Sequence, residues 1–256
     1  MEILVCFKTE PQWDTLSHSE LTAICQNSWQ DQYTVRQWGA HDEAALECAL
    51  RIRDSLADRG QAARLTGLTV GACPDKFITE LYSLQFDEVV QIPVPYPTDF
   101  SQHDVAQAAA AFARTRGGFD LILTGQQVGP GESGTIPLLL AGMLGIPCLS
   151  HVYQIEPGQT AGMYVFFRDD THARQWEVSG PCLCALENAR HPFLRMAKLK
   201  ERLRARQQKA VLFQAEQNFS HSFPPAACYT QEKKGVCRQW EKDAFIQELE
   251  STLKAL

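Results

Sequence analysis

The sequence predicts an α/β fold, a mostly parallel sheet covered by helices on both faces and followed by a C-terminal arm. Three observations predict it. Short apolar runs rich in branched residues alternate with segments whose apolar residues recur at helical spacing. One of those runs, Phe119-Asp120-Leu121-Ile122-Leu123, passes through a glycine-rich turn straight into Pro137-Leu138-Leu139-Leu140-Ala141, which is apolar all round like a buried helix. Beyond Pro147 the alternation gives way to strand-like segments, then to a basic helix and a proline-containing tail.

Taken in order, Ile3-Leu4-Val5-Cys6-Phe7 reads as a buried strand with Lys8 just past its end. Residues 9–38 are polar, rich in Gln and Trp and weakly periodic, which suits an excursion such as a hairpin. A helix can start at Asp42 with a side-chain cap; Ala45, Cys48, Ala49 and Ile52 form its apolar face, and Arg51, Arg53 and Asp54 face water. Residues 63–70 make a second strand broken by Gly71, residues 74–85 a helix, and residues 88–92 a third strand. Val105, Ala108, Ala109 and Phe112 mark a helix that ends near Gly117. Segments 149–154, 162–168, 174–178 and 182–186 read as strands that can extend the sheet with antiparallel partners. From Lys198 to Lys209 the chain is strongly basic, with Leu199 and Leu203 one turn apart, a solvated or partner-facing helix. The stretch from Asn218 through Pro224-Pro225 to Gly235 has loop composition, and Phe245, Leu249 and Leu253 then give an amphipathic helix that needs something to pack on.

The central turn carries the chemistry. Gly129, Gly131 and Gly134 permit backbone angles closed to other residues, so several N–H groups can converge on one point. The helix that follows Thr135 aims its unpaired N–H groups and the positive end of its dipole at the same place, where a phosphate fits. Gly129 and Gly134 have the separation of a P-loop, but Thr135 and Ile136 stand where Lys and Ser/Thr are required, which excludes phosphoryl transfer. The glycine spacing also meets the dinucleotide pattern, yet Pro130 interrupts it and it lies deep in the chain rather than after the first strand. What remains is a glycine-rich connection with no ligand, or nucleotide binding through backbone amides. In a parallel sheet it belongs at the carboxyl ends of the strands, where Lys8, Gly71 and the Gly125 loop can converge.

Composition bounds the rest. The 256 residues, 45% hydrophobic, can bury one large α/β core with an appendage, and a formal net charge of -6 argues against nucleic acid as the main partner. No apolar run reaches membrane-spanning length and the opening has no leader pattern, so the expectation is a cytoplasmic protein without membrane insertion. The nine cysteines form no CxxC pair and read as small reduced core residues; the histidines are scattered without metal spacing. With no nucleophile, base and acid constellation, the chain is expected to bind no metal and to have no catalytic residues or catalytic cycle of its own.

The residues just described resemble the beta subunit of the electron transfer flavoproteins over nearly the whole chain. Ile3 to Lys8 is similar to that family's first strand and lysine, Asp42-Glu43-Ala44-Ala45-Leu46-Glu47 to its acidic helix start, and Thr69-Val70-Gly71 to its turn after the second strand. Gly125-Gln126-Gln127, an acidic and hydroxyl loop and then Leu140-Ala141-Gly142 form the most specific match. The resemblance implies an adenine-nucleotide-binding α/β domain of the HUP-like type over residues 1–197, with a basic helix and partner-binding arm over 198–256. It implies AMP or a second FAD in the crevice, and a redox FAD shared with, and mostly held by, an alpha subunit. It further implies that the two chains form a heterodimer carrying electrons from a flavin dehydrogenase to a downstream acceptor. Cofactor-binding positions are then Cys6 and Gly39, Val70 and Gly71 after the second strand, and in the loop Gly125, Gln127, Val128, Gly129, Gly131, Glu132, Ser133, Gly134 and Thr135. Where the family has aspartates, a Thr and a Gln, this chain has Pro130 to Thr135, so phosphate contacts rest more on backbone N–H groups. The family's partner-docking segment corresponds to residues 190–196, with Pro192, Phe193, Leu194 and Met196 as docking residues. From another class, a stand-alone adenine-nucleotide sensor fits the same fold. An ATP-cleaving ligase or sulfur-transfer enzyme would need a Ser-Gly-Gly loop where Lys8-Thr9-Glu10-Pro11 stands.

Overall fold

Alternate residues of the first strand enter different cores, as a strand covered on both faces requires. Ile3 and Val5 join one apolar cluster and Leu4 the other, and all three are fully buried. The computed structural model describes residues 1–25, 35–94, 102–127, 134–159, 162–168 and 172–215. Residues 1–16 with 30–221 form one compact unit; the described part of a second, 17–29 with 222–256, is Ser17 and α1 (His18–Cys25). That helix opens on a capping box: the Ser17 N–H donates to Glu20 at 2.7 Å, and the Glu20 N–H to Ser17 Oγ at 3.3 Å.

In the larger unit β1 (Glu2–Cys6) pairs in parallel with β4 (Arg64–Val70) on one side and β6 (Leu121–Gly125) on the other. Beyond β4 lie β5 (Glu88–Ile92) and β11 (Val211–Leu212); beyond β6 lie β10 (Cys182–Leu186), β7 (Cys148–Pro157), β8 (Met163–Arg168) and β9 (Ala173–Val178). The nine-stranded order is β11-β5-β4-β1-β6-β10-β7-β8-β9, parallel from β11 to β7 and antiparallel over the last two pairings. The path moves outward from β1 to β4 and β5, then returns to place β6 on the other side of β1. Ligands bind at such a reversal in open α/β sheets.

On the Ile3 side the core takes in α2 (Ala40–Asp58) and α3 (Asp75–Ser83); on the Leu4 side it takes in α4 (Gln102–Thr115) and α5 (Ile136–Leu144). The excursion expected of residues 9–38 closes as an antiparallel pair, β2 (Thr9–Pro11) with β3 (Arg36–Trp38). Trp38 fixes it to the body, edge-on to Phe7 at 5.5 Å and to Phe77 at 4.7 Å between ring centroids.

Several boundaries and placements differ from the sequence reading. The strand before the central loop runs 121–125, not 119–123, because Phe119 packs on Phe112 and Asp120 accepts the Glu2 N–H, both ahead of the strand. The helix 136–144 is not buried all round: Pro137, Leu140 and Ala141 face the core while Leu138 is exposed, since the helix leans on α4 and β10 along one side only. Segments 148–157, 163–168 and 173–178 form the expected antiparallel extension, but β10 inserts in parallel between β6 and β7. After the basic helix α6 (Leu199–Ala205), β11 returns to the sheet edge and Phe213 packs on Phe112 at 5.2 Å. Residues 211–212, beyond the 197/198 division, therefore lie at the sheet edge, whereas the double proline and the helix expected around Phe245 lie outside the described residues.

Candidate functional site

The carboxyl ends of β1, β4 and β6 and the starts of α4 and α5 enclose a cavity of about 70 Å³, room for one phosphate-sized group. Cys6, Phe7 and Lys8 come from the end of β1, Val70 from β4, Gln102 and Val105 from α4, and Thr124 to Gln127 from the end of β6. Gly134 to Pro137 bring in the first turn of α5, and Asp42 the first turn of α2. The helix start supplies backbone N–H groups without intrahelical partners.

The sequence reading made Asp42 a helix cap. Instead the helix begins at Ala40 with Gly39 as its cap residue, and the Asp42 carboxylate crosses to the two strands. Its Oδ2 accepts the Lys8 N–H at 2.8 Å and its Oδ1 the Gly125 N–H at 2.9 Å, so one buried acid ties α2 to both sides of the switch point. The tie explains Gly125. A Cβ there would lie 2.5 Å from Asp42 Oδ1 and 2.9 Å from the Asp42 backbone nitrogen, so the residue is glycine because helix and strand touch.

Thr124 is the residue that sequence reasoning passed over. Its side chain is covered to 3% exposure and lines the cavity, and its Oγ1 has no hydrogen-bond partner among the described residues. A buried hydroxyl left unpaired costs free energy, so Thr124 marks this end of the sheet as a candidate polar site. The signal in the sequence is the threonine in an otherwise apolar strand, one residue before the loop. Cys6 supplies wall rather than chemistry: burial, with the Asp42 carboxylate adding to it, pushes its thiol up to about 12. Burial likewise pushes Cys48 and Cys73 up to about 12.

Of the predicted cofactor positions, Cys6, Val70, Gly125, Gln127, Gly134 and Thr135 line the cavity together. Gly39 stands beside it, its N–H donating to the Lys8 carbonyl at 3.1 Å, and Gly71 turns away with its N–H on the Ile92 carbonyl at 2.9 Å. Val128, Gly129, Gly131, Glu132 and Ser133 lie outside the described residues. The loop base is described. Gly134 has φ +68°, and a Cβ on it would lie 3.1 Å from the Gln126 carbonyl, so the returning chain packs on the departing one. Gln126 also reaches sideways, its Oε1 accepting the His151 N–H at 3.2 Å.

The predicted docking residues do not share the cavity. Pro192, Phe193 and Met196 are exposed while Leu194 packs on the core below α2. Arg53 and Asp54, expected to face water, are engaged: Arg53 donates to the Leu84 carbonyl at 3.0 Å and Asp54 binds Arg195. Although burial opposes it, hydrogen bonds from Arg195 and Arg53 hold the Asp54 carboxyl below its ordinary range.

Comparison with known proteins decides the family. Residues 31–216 match the family described as Electron transfer flavoprotein domain, well over half of the chain. The chain belongs to the electron transfer flavoprotein family. It is 34% identical over 158 residues to a putative electron transfer flavoprotein subunit, YgcR, of Escherichia coli K12, a match covering 59% of this chain and 58% of that protein. It is 33% identical over 131 residues to an electron transfer flavoprotein subunit beta of Mycobacterium bovis, 47% of each chain. The Mycobacterium leprae subunit beta is 32% identical over a stretch of the same length. The matches thus span about half of each relative. The α/β sheet with helices on both faces is the architecture expected of this electron transfer flavoprotein member. Among the described residues no helix is long and apolar enough to cross a membrane, and no cluster of three or more His, Cys, Asp or Glu could hold a metal ion.

Proposed function

We propose that this chain is the beta-type subunit of an electron transfer flavoprotein, joined to an alpha subunit and passing electrons from a flavin dehydrogenase to a downstream acceptor without a catalytic cycle of its own. The observation that carries the reading is the covered Thr124 hydroxyl, without a hydrogen-bond partner among the described residues, in a phosphate-sized cavity at the sheet's switch point in a chain of this family. The residues present fit the phosphate of AMP or of a second FAD. Thr124 can donate through Oγ1, and the Ile136 and Leu138 N–H groups in the first turn of α5 can donate from the backbone. Asp42 holds the strand ends and helix in register, and Gly125 lets them meet. The apolar wall of Cys6, Phe7 and Val70 excludes water from the pair. The shared flavin, when bound, accepts and passes on the electrons; this chain's contribution is to shape its surroundings and to dock the donor through Phe193 and Met196.

The test is to denature the purified heterodimer and identify by mass spectrometry the nucleotide released. AMP or a second equivalent of FAD supports the reading and tells the two apart, and a complex that releases neither overturns it. Gly134→Val forces a branched residue into positive φ against the Gln126 carbonyl, and nucleotide content should fall about tenfold or more as phosphate donors move out of reach. A folded Gly134→Val complex with full nucleotide content speaks against the loop.

A further inference from the structure

Residues 190–197 form neither helix nor strand, yet their backbone is fixed, because α2 supplies the acceptors that regular structure would have supplied. The Leu194 N–H donates to Glu43 Oε1 at 3.0 Å and the Arg195 N–H to Glu47 Oε2 at 3.1 Å. The Arg195 guanidinium then grips the same helix: Nε donates to Glu47 Oε2 at 3.0 Å, Nη2 to Glu47 Oε1 at 2.9 Å, and Nη1 to Asp54. Glu43, Glu47 and Asp54 follow one another at intervals of four and seven residues, which puts them on one side of a helix. Glu47 is only 2% exposed, and a carboxylate so covered demands paired cations; Arg195 and Arg51 provide them.

The clamp also decides what faces outward. With Leu194 and Arg195 drawn onto α2, their neighbours Phe193 and Met196 stand 76% and 80% exposed, and Leu199 and Leu203 continue the apolar strip along α6. Arg190, Lys198, Lys200 and Arg202 border that strip, exposed, in a chain whose net charge is -6. A basic border on an acidic protein selects an acidic rim on its partner. Fixing the loop beforehand removes the ordering cost that a flexible loop would add to binding.

We infer that Arg195 is the positioning residue of the docking segment, its clamp to Glu47 and Asp54 presenting Phe193 and Met196 to an apolar pocket with an acidic rim on a flavin dehydrogenase. This rests on the docking reading proposed above, and the two are separable by experiment. The protein used is the full heterodimer, and the probe is a purified flavin dehydrogenase selected because it reduces the wild-type heterodimer. Variants are Arg195→Gln, Arg195→Lys, the milder Asp54→Asn, and Phe193→Ala with Met196→Ala. Hydrogen exchange of the Leu194 and Arg195 amides is measured without dehydrogenase, and KM for the heterodimer and kcat with it.

Arg195→Gln should speed exchange at both amides by about tenfold or more and raise KM severalfold with little change in kcat; Asp54→Asn should do so more weakly. Arg195→Lys, which keeps the charge but loses the planar fork, should restore part of the KM and less of the protection. Unchanged exchange in both Arg195→Gln and Asp54→Asn overturns the clamp, as does faster exchange with an unchanged KM while the Phe193/Met196 pair raises KM. If no variant, the Phe193/Met196 pair included, moves KM, or no dehydrogenase reduces the wild type, the docking reading falls and the positioning role with it, whatever exchange shows.

Discussion

In the first turn of α2 the Asp42 carboxylate reaches inward to the Lys8 and Gly125 amides at 2.8 and 2.9 Å, while the next residue, Glu43, reaches outward to the Leu194 amide at 3.0 Å. The crevice and the 190–196 segment are thus held by adjacent acids of one helix. The crevice holds a buried polar group, Thr124 Oγ1, that no described residue pairs. The 190–196 segment sets its Leu194 and Arg195 amides on α2 acids and leaves large apolar side chains in water, Phe193 and Met196. On the function proposed above, the first suits a small polar ligand and the second a protein. The same acid-to-amide device serves both, fixing Lys8 just past β1 and Gly125 at the end of β6 in one place and Leu194, outside any helix or strand, in the other.

The comparison breaks first at Gly125. Gly125→Val pushes a branched side chain against the Asp42 backbone and carboxylate, and denaturant titration should show a loss of about 3 kcal/mol or no folded protein at all. A variant as stable as wild type would mean that the α2 contact does not hold the crevice together. Thr124→Val sharpens the contrast because its two effects have opposite signs. Without nucleotide the variant should melt at the same temperature or higher, with about 1 kcal/mol regained from the unpaired hydroxyl, whereas nucleotide affinity should drop about tenfold. If calorimetry showed the variant less stable without nucleotide and unaltered in binding, Thr124 would be a structural residue only.

On the docking side the corresponding acid is poised differently. Burial, reinforced by the Glu80 charge and opposed by the Leu194 hydrogen bond, raises the Glu43 carboxyl above its ordinary value of 4.5. The folded state therefore holds this proton more tightly than the unfolded one, so the group favours folding most below about pH 4.5 and loses that contribution as pH rises through the raised value. Glu43→Gln keeps an acceptor for Leu194 and removes the charge. Thermal melts should show it modestly more stable than wild type at pH 7, with the difference closing below pH 4.5; a gap that widens on acidification would reverse the sign of the argument. The smallest effect belongs to Phe193→Ser, which should change the stability of the chain by less than about 0.5 kcal/mol because the ring already stands in water. A larger loss would show that the ring is packed against this protein rather than offered to another.

The strands and helices of the parallel half were legible in the sequence because each has its own period. Residues 88–92 are a strand as read, and Ala108, Ala109 and Phe112 of the fourth helix are all buried. The glycine-rich turn after a buried strand pointed to the crevice for the same reason, since backbone freedom and helix starts are local properties. The sequence could not show that β10 enters between β6 and β7, or that Val211 and Leu212 return to the edge beside β5, because strand order is settled by which surfaces remain to be covered once other strands have paired. Nor could it separate the acids at positions 42, 43 and 47 by role. All three read as the polar start of a helix, and only the packed neighbours turn Asp42 to the strand ends, Glu43 to the Leu194 amide and Glu47 to Arg195. By itself the sequence determined the periods, the turn and the family pattern, which depend on neighbours along the chain. Tertiary structure alone decided which buried oxygen meets which amide, and left Thr124 Oγ1 without a hydrogen-bond partner among the described residues, because those pairings join residues 34 to 151 positions apart.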